Sequence, residues 1–179
     1  MVWQLPRVEI KQKPVNYARK LAEVSRNLRA TRQVRVGLPK GVQDYPDGTS
    51  LVEVATRHEF GDGSIPQRSF LRSTVSENET RYRDVMAGLA KRVVNQKDTP
   101  EQAMGKLGQT VVSDVQKKIA EGIQPELSPE TIQRKKSSKP LIDTGHLRQS
   151  ITWEINDSFL PTRKHTIPAL LVNFSILAQ

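Results

Sequence analysis

Apolar positions recur at helical intervals through the middle of the chain and alternate with polar ones near both ends. From Asn16 to Arg29 the apolar set is Tyr17, Leu21, Val24 and Leu28, at steps of four, three and four. That spacing predicts one helical stripe, with Arg19, Lys20, Arg26 and Arg29 largely off it. Val34 and Val36 alternate with Gln33 and Arg35 before Gly37, which predicts a short strand. Pro46-Asp47-Gly48 reads as a tight turn, and Ser50 with Glu53 as the capping box of a short helix that Gly61 ends. A long helix is expected from Ser69 to Asn95, carrying Val75, Tyr82, Val85, Met86, Leu89 and Val93. Asp98-Thr99-Pro100 breaks it. A second long helix opens at Thr99, with Gln102 closing a capping box and Met104, Leu107, Val111, Val115 and Ile119 as its stripe. The two are expected to form a helical hairpin.

Beyond it, Ser128-Pro129-Glu130 opens another short helix, and Arg134 to Lys139 reads as a basic loop. Asp143 or Thr144 caps a brief helical turn through Ser150. Ile151, Trp153 and Ile155 alternate as a strand, and Leu170 to Ile176 is apolar enough for a last one. Leu5, Val8 and Ile10 alternate weakly between Pro6 and Pro14, the pattern of an edge strand. The fold class is α+β: a single domain over 1–179, with a long helical hairpin packed on a small, mostly antiparallel sheet, and with residues 1–15 and 156–179 as extended terminal arms.

Composition narrows the picture. The chain has 179 residues, 36% of them hydrophobic, enough for one core. It has no cysteine, which removes disulfides and Cys-ligated zinc. No apolar run approaches the ~20 residues of a membrane span, and the first residues lack a signal peptide's layout, so no membrane partner and synthesis in a cytoplasm are expected. The net charge of +9 is uneven. Residues 1–40 hold ten Lys/Arg against two acids, residues 41–90 five against eight, and residues 91–179 thirteen against nine. The basic first quarter suits nucleic acid, an acidic protein surface, or simply a solvated helix face.

Catalytic patterns fail in detail. His58-Glu59 begins like a zinc-protease helix, but the second histidine would fall at Asp62. Leu141-Ile142-Asp143-Thr144-Gly145 matches the loop of dimeric aspartic proteases, whose chemistry needs two carboxylates sharing a proton. The helix start at His146-Leu147-Arg148 and the missing flanking strands speak instead for a cap. No catalytic residue, metal site or cofactor is expected, and the chain is read as a non-enzyme.

Two blocks together resemble a known family. The first is His58-Glu59-Phe60-Gly61, a short loop, then Ile65-Pro66-Gln67-Arg68-Ser69-Phe70-Leu71-Arg72. The second runs from Leu127-Ser128-Pro129-Glu130 to Lys136, then from Lys139-Pro140-Leu141-Ile142-Asp143-Thr144-Gly145-His146-Leu147-Arg148 to Ile151. In this order and spacing they are similar to the virion morphogenesis, or tail-completion, proteins of tailed bacteriophages. The resemblance covers about residues 50–155. Ser69 departs from it, standing where the family commonly has a proline.

The resemblance implies a structural protein of the virion neck or head-proximal tail, assembled in the host cytoplasm and helping to join tail to head connector. It implies a homo-oligomeric ring, other neck, connector and tail proteins as partners, and DNA in the channel nearby. A basic nucleic-acid-binding protein associated with phage DNA is the alternative. Phe60, Gly61, Pro66, Phe70, Leu71, Pro140, Leu141, Asp143, Thr144, Gly145 and Leu147 are the structural residues of the motif. Arg19, Arg26, Arg29, Arg68 and Arg72 are the candidate interface. Arg68 and Arg72, four apart, are expected to share a face and grip a neighbour's carboxylates, or else to pair with Glu59 or Asp62 of their own chain.

Overall fold

The computed structural model describes residues 19, 22–23, 33–127, 129–130, 133, 141, 145–156 and 171–175. In chain order the elements are β1 (Gln33–Gly37), α1 (Leu51–Phe60), α2 (Arg72–Glu77), α3 (Glu79–Val94), α4 (Pro100–Glu121), α5 (His146–Ser150), β2 (Thr152–Asn156) and β3 (Leu171–Ser175). The strands form an antiparallel sheet in the order β2-β1-β3, with Arg35 opposite Glu154 and Asn173, and Val36 opposite Trp153 and Val172.

The expected α+β fold stands, with the helical hairpin packed on the sheet. Helix α4 is its axis. Thr99 and Gln102 close a reciprocal capping box, and Pro100 sits in the first turn. Ala103, Met104, Leu107, Gly108, Val111, Val112, Val115 and Ile119 are all buried. At 100° per residue these positions sweep roughly 180° of the helix, wider than a one-sided stripe. One side of that arc receives α3, where Tyr82, Leu89 and Val93 are buried, and the other receives the sheet. The Tyr82 hydroxyl donates to Asp114 Oδ2 at 2.8 Å, and Arg81 pairs with the same carboxylate at 2.7 Å, tying the hairpin. Burial and that carboxylate push the Tyr82 phenol well above its ordinary range.

The sheet side depends on two glycines. A Cβ built on Gly108 would stand 2.7 Å from Trp153 Cγ, and one on Gly105 would stand 3.0 Å from its Cη2. The indole of β2 therefore lies directly on the backbone of α4. Gly88, on α3, has nothing within 4 Å of its Cβ position. The same substitution should thus have opposite signs at the two sites. Gly88→Ala should stabilise by about 1 kcal/mol through helix propensity. Gly108→Ala gains the same propensity but must displace Trp153, and should destabilise by about 1–2 kcal/mol net. Urea unfolding of both variants checks this; matching shifts would contradict the packing.

Several expectations need correction. The helix expected over Ser69–Asn95 begins at Arg72 and breaks at Asn78, whose φ of −107° and ψ of 12° leave the helical region. Its backbone amide at 3.2 Å and its side-chain amide at 2.9 Å both donate to the Thr74 carbonyl at the break. Ser50 caps α1, but Glu53 pairs with Arg57 at 2.7 Å, and only the Ser50 half of that capping box forms. Gly145, in the left-handed region at φ 77°, takes the cap position of α5 that Asp143 or Thr144 was expected to fill. The segment 156–179 is not an arm throughout: Asn156 ends β2, and Leu171–Ser175 pairs with β1 as an edge strand. Backbone groups of β1 left open by β2 are satisfied that way. Residues 1–15 lie outside the described residues, as do Pro140, Asp143 and Thr144.

The turn between α3 and α4 is closed electrostatically. Asp98, 6% exposed, accepts from Arg92 Nε at 2.6 Å and Nη2 at 3.1 Å, and from Lys106 Nζ at 2.7 Å. Those donors hold its carboxyl well below the usual carboxylate range. A depressed native pKa stabilises the fold above the unfolded value of about 3.9, and the contribution is lost as pH falls through the native value. Asp98→Asn should therefore lower Tm near neutrality, with the gap to the parent narrowing as pH drops below about 4. Thermal melts across that window test it; a constant gap would place the effect elsewhere.

Candidate functional site

The first motif block folds around one buried carboxylate. Glu59 lies on the last turn of α1 and is fully buried. Gly61 ends that helix at φ 75°, where a Cβ would stand 3.2 Å from Gln67 N and Ile65 O, so the chain reverses only with glycine there. Asp62 then organises the loop, its Oδ1 accepting from Ser64 N at 3.1 Å, Ser64 Oγ at 2.8 Å and Ile65 N at 2.8 Å. These bonds hold the Asp62 carboxyl below its ordinary range. Pro66 lies in the segment returning the chain past α1, and the Arg68 amide donates to the His58 carbonyl at 2.7 Å.

The returning chain meets Glu59 with its donors. The Ser69 hydroxyl donates to Oε1 at 2.6 Å, and the amides of Phe70, Leu71 and Arg72 donate at 2.8, 2.9 and 3.0 Å. Arg72 Nε adds a charged bond to Oε1 at 3.0 Å. Glu59 thus caps α2 from a different helix, satisfying amides that an N-terminus leaves open. Phe70 and Leu71, both fully buried, are fixed in the core by the same contact. Arg72 also donates through Nη2 to the Glu59 carbonyl at 2.9 Å, and its guanidinium stands 4.2 Å from the centroid of Phe60. That stacking covers one face of Phe60, which remains 51% exposed.

Arg68 departs from expectation. It precedes α2, so it shares no helical face with Arg72. It is 4% exposed, and burial pulls its pKa below the ordinary arginine value. Its Nε donates to the Pro125 carbonyl at 2.6 Å and its Nη2 to the Glu126 carbonyl at 3.0 Å. As a candidate interface residue Arg68 is therefore corrected: its donors are spent inside the chain. Arg72 takes the intrachain alternative, pairing with Glu59, while its side chain stays 48% exposed. Arg19 is exposed on a helical residue, and Arg26 and Arg29 lie outside the described residues.

Arg68 also joins the two motif blocks, since Pro125 and Glu126 lead directly into Leu127. Within the second block, Leu127, Leu141, Leu147 and Ile151 are buried. Leu141 has φ 63°, a strained value for a side chain of that size, and Gly145 has φ 77°. Gln116 of α4 donates to the Arg148 carbonyl at 3.2 Å, fixing α5 on the hairpin. His146 Nε2 lies 2.8 Å from the Gln43 carbonyl and its ring stands edge-on to Tyr45, 5.3 Å between centroids. The first block is therefore tied, through carboxylate, guanidinium and backbone, to the chain that enters the second, and the described end of the second is fixed on α4.

Charge is unevenly divided along the chain. Residues 33–127 hold 13 Lys/Arg and 13 Asp/Glu, a balance of zero. Residues 1–32 hold eight against two and residues 128–179 seven against four, so the whole excess of +9 lies outside residues 33–127, as +6 and +3. Among the described residues no group of three or more His, Cys, Asp or Glu stands together as metal ligands, and no helix is long and apolar enough to cross a membrane. No protein-family model, curated protein or solved structure matches the chain.

Proposed function

We propose that the chain is a structural protein of the virion neck, resembling tail-completion proteins, that helps complete the tail and join it to the head connector. The observation that carries this reading is the junction of the two motif blocks through Arg68, Pro125 and Glu126. These bonds hold the first segment against the residues that lead into the second, although the two are far apart in sequence. Charged residues in and beside the first segment are spent on folding: Glu59 caps a helix, Arg68 ties a loop, and Asp62 builds a turn. What remains for partners is surface shape and the basic flanks, the equipment of an assembly protein working by binding. Several copies around the tail axis would form a closed ring through a head-to-tail interface. The partners are other neck, connector and tail proteins.

An infection in which this chain is not made should accumulate DNA-filled heads and separate tails, and supplying the chain in trans should restore joining. Joined, infectious particles formed without it would overturn the reading.

The charge partition favours a second reading, a basic protein that holds phage DNA through its flanks. The logarithm of the binding constant would then fall linearly with the logarithm of salt, with a slope of about 0.9 per phosphate contacted and without sequence preference. Titrating duplex DNA at several salt concentrations separates the two: a steep slope supports the DNA reading, and no binding at low salt rejects it.

A further inference from the structure

Among the described residues the sheet has two outer edges, those of β2 and β3, and the edge of β2 is the one whose side chains are described. Among the described residues β2 pairs with β1 along one edge and has no strand on the other. The inner face of the central strand is fully covered, with Val34 and Val36 at 0% exposure, but Trp153 and Ile155 of β2 are only partly buried against the same core. On the outer face Glu154 is exposed, with Arg35 of β1 at 3.8 Å on its inner side. An open edge of this kind presents unpaired amides and carbonyls, a half-covered apolar row and an acid.

The chain contains a segment that fits each of these. Arg7, Val8, Glu9 and Ile10 alternate charged and apolar, and Pro6 just before them is tolerated only at an edge. We infer that residues 7–10 of a second copy add to β2 as an antiparallel fourth strand, with Arg7 opposite Glu154, Val8 opposite Trp153, Glu9 opposite Thr152 and Ile10 opposite Ile151. This register extends the apolar row over Trp153 and continues the outer face as Arg35, Glu154, Arg7, alternating in sign. A one-residue slip would place Glu9 or an apolar side chain on the wrong face. The parallel alternative that keeps Val8 opposite Trp153 sets Glu9 against Glu154.

A second copy is the donor because the chain's own connection is poorly served. A strand antiparallel to β2 runs parallel to β1, so joining them within one chain needs a crossover lying on a face of the sheet. The inner face is filled by α4, where Trp153 rests on Gly105 and Gly108. The outer face offers Arg35 and Glu154, not an apolar bed for a helix with the stripe Tyr17, Leu21, Val24 and Leu28. Strand donation from copy to copy is a head-to-tail contact, which closes into rings or extends into filaments. The inference does not depend on the virion reading.

The absence of cysteine gives the test a clean background. Full-length chains carrying Glu9→Cys and Thr152→Cys are mixed as two singly substituted proteins and also made as one doubly substituted protein, then oxidised gently. Paired strands bring such positions within disulfide reach. The expected result is a crosslinked dimer from the mixture and a ladder of multimers from the double variant. In parallel, Arg7→Glu should weaken self-association about fivefold, and Glu154→Arg in the same chain should restore it. A disulfide confined within single chains, or no crosslink together with failure of the charge swap to rescue association, would overturn the inference. Circular dichroism of each variant confirms that the folded body is intact.

Discussion

Replacing Glu59 with alanine should cost about 3–5 kcal/mol, a large share of the stability of a domain this size. The carboxylate is fully buried and receives five donors, three of them backbone amides at the start of α2. Removing it leaves the amides of Phe70 and Leu71 buried with no acceptor and takes the anion from Arg72. Glu59→Gln keeps the shape but turns one oxygen into a donor facing donors, so it should recover only part of the loss. Urea denaturation of the purified variants measures both. A loss below about 1 kcal/mol for the alanine variant would mean that water or a shifted backbone replaces the carboxylate.

Arg68→Ala should cost about 2–4 kcal/mol, since it removes two hydrogen bonds from a charged donor and leaves two carbonyls behind. Its local effect is the more informative one. Without the guanidinium, the carbonyls of Pro125 and Glu126 lose the contact that draws residues 122–127 onto the end of the first motif block. Amide exchange in that loop should accelerate well beyond what the global loss of stability accounts for. Arg68→Lys has one charged group and cannot span both carbonyls in the guanidinium's planar geometry, so it should rescue stability incompletely. Uniform acceleration across the domain would refute the tie.

Much of the architecture is written locally. The break and cap at Asp98-Thr99-Pro100 and the stripe from Met104 to Ile119 are contained in short windows, and the helix they predict is the one observed. So is the alternation around Val34 and Val36. What escaped sequence reading is set by distant partners. Gly105 and Gly108 look like helix-weakening residues until Trp153, some 45 positions away, is found resting on them. Glu59 sits in a run resembling a metalloprotease start, while its actual partners arrive from residues 69–72 after a reversal that Gly61 and Asp62 build. The interval of four between Arg68 and Arg72 suggested a shared helical face, but the helix begins only at Arg72. A signal did exist for the cap: an acid two residues before Gly61, followed by a loop and then a helix start. Nothing in the spacing pointed Arg68 at the carbonyls of Pro125 and Glu126.

The partition of charge has a consequence for how this protein can change over time. Residues 33–127 balance 13 cations with 13 anions, and several of those charges are committed to caps, turns and the α3–α4 closure. The +6 of residues 1–32 lies outside that balance, whereas residues 128–179 carry their +3 together with α5, β2 and β3 of the body. Changes of charge in residues 1–32 can raise or lower affinity for a charged partner without touching the caps and turns, while substitutions in the body risk stability as well. The first quarter of the chain is where such a lineage would adapt to new neighbours, and the block from Leu51 to Glu126 is where it would be held constant by its own folding.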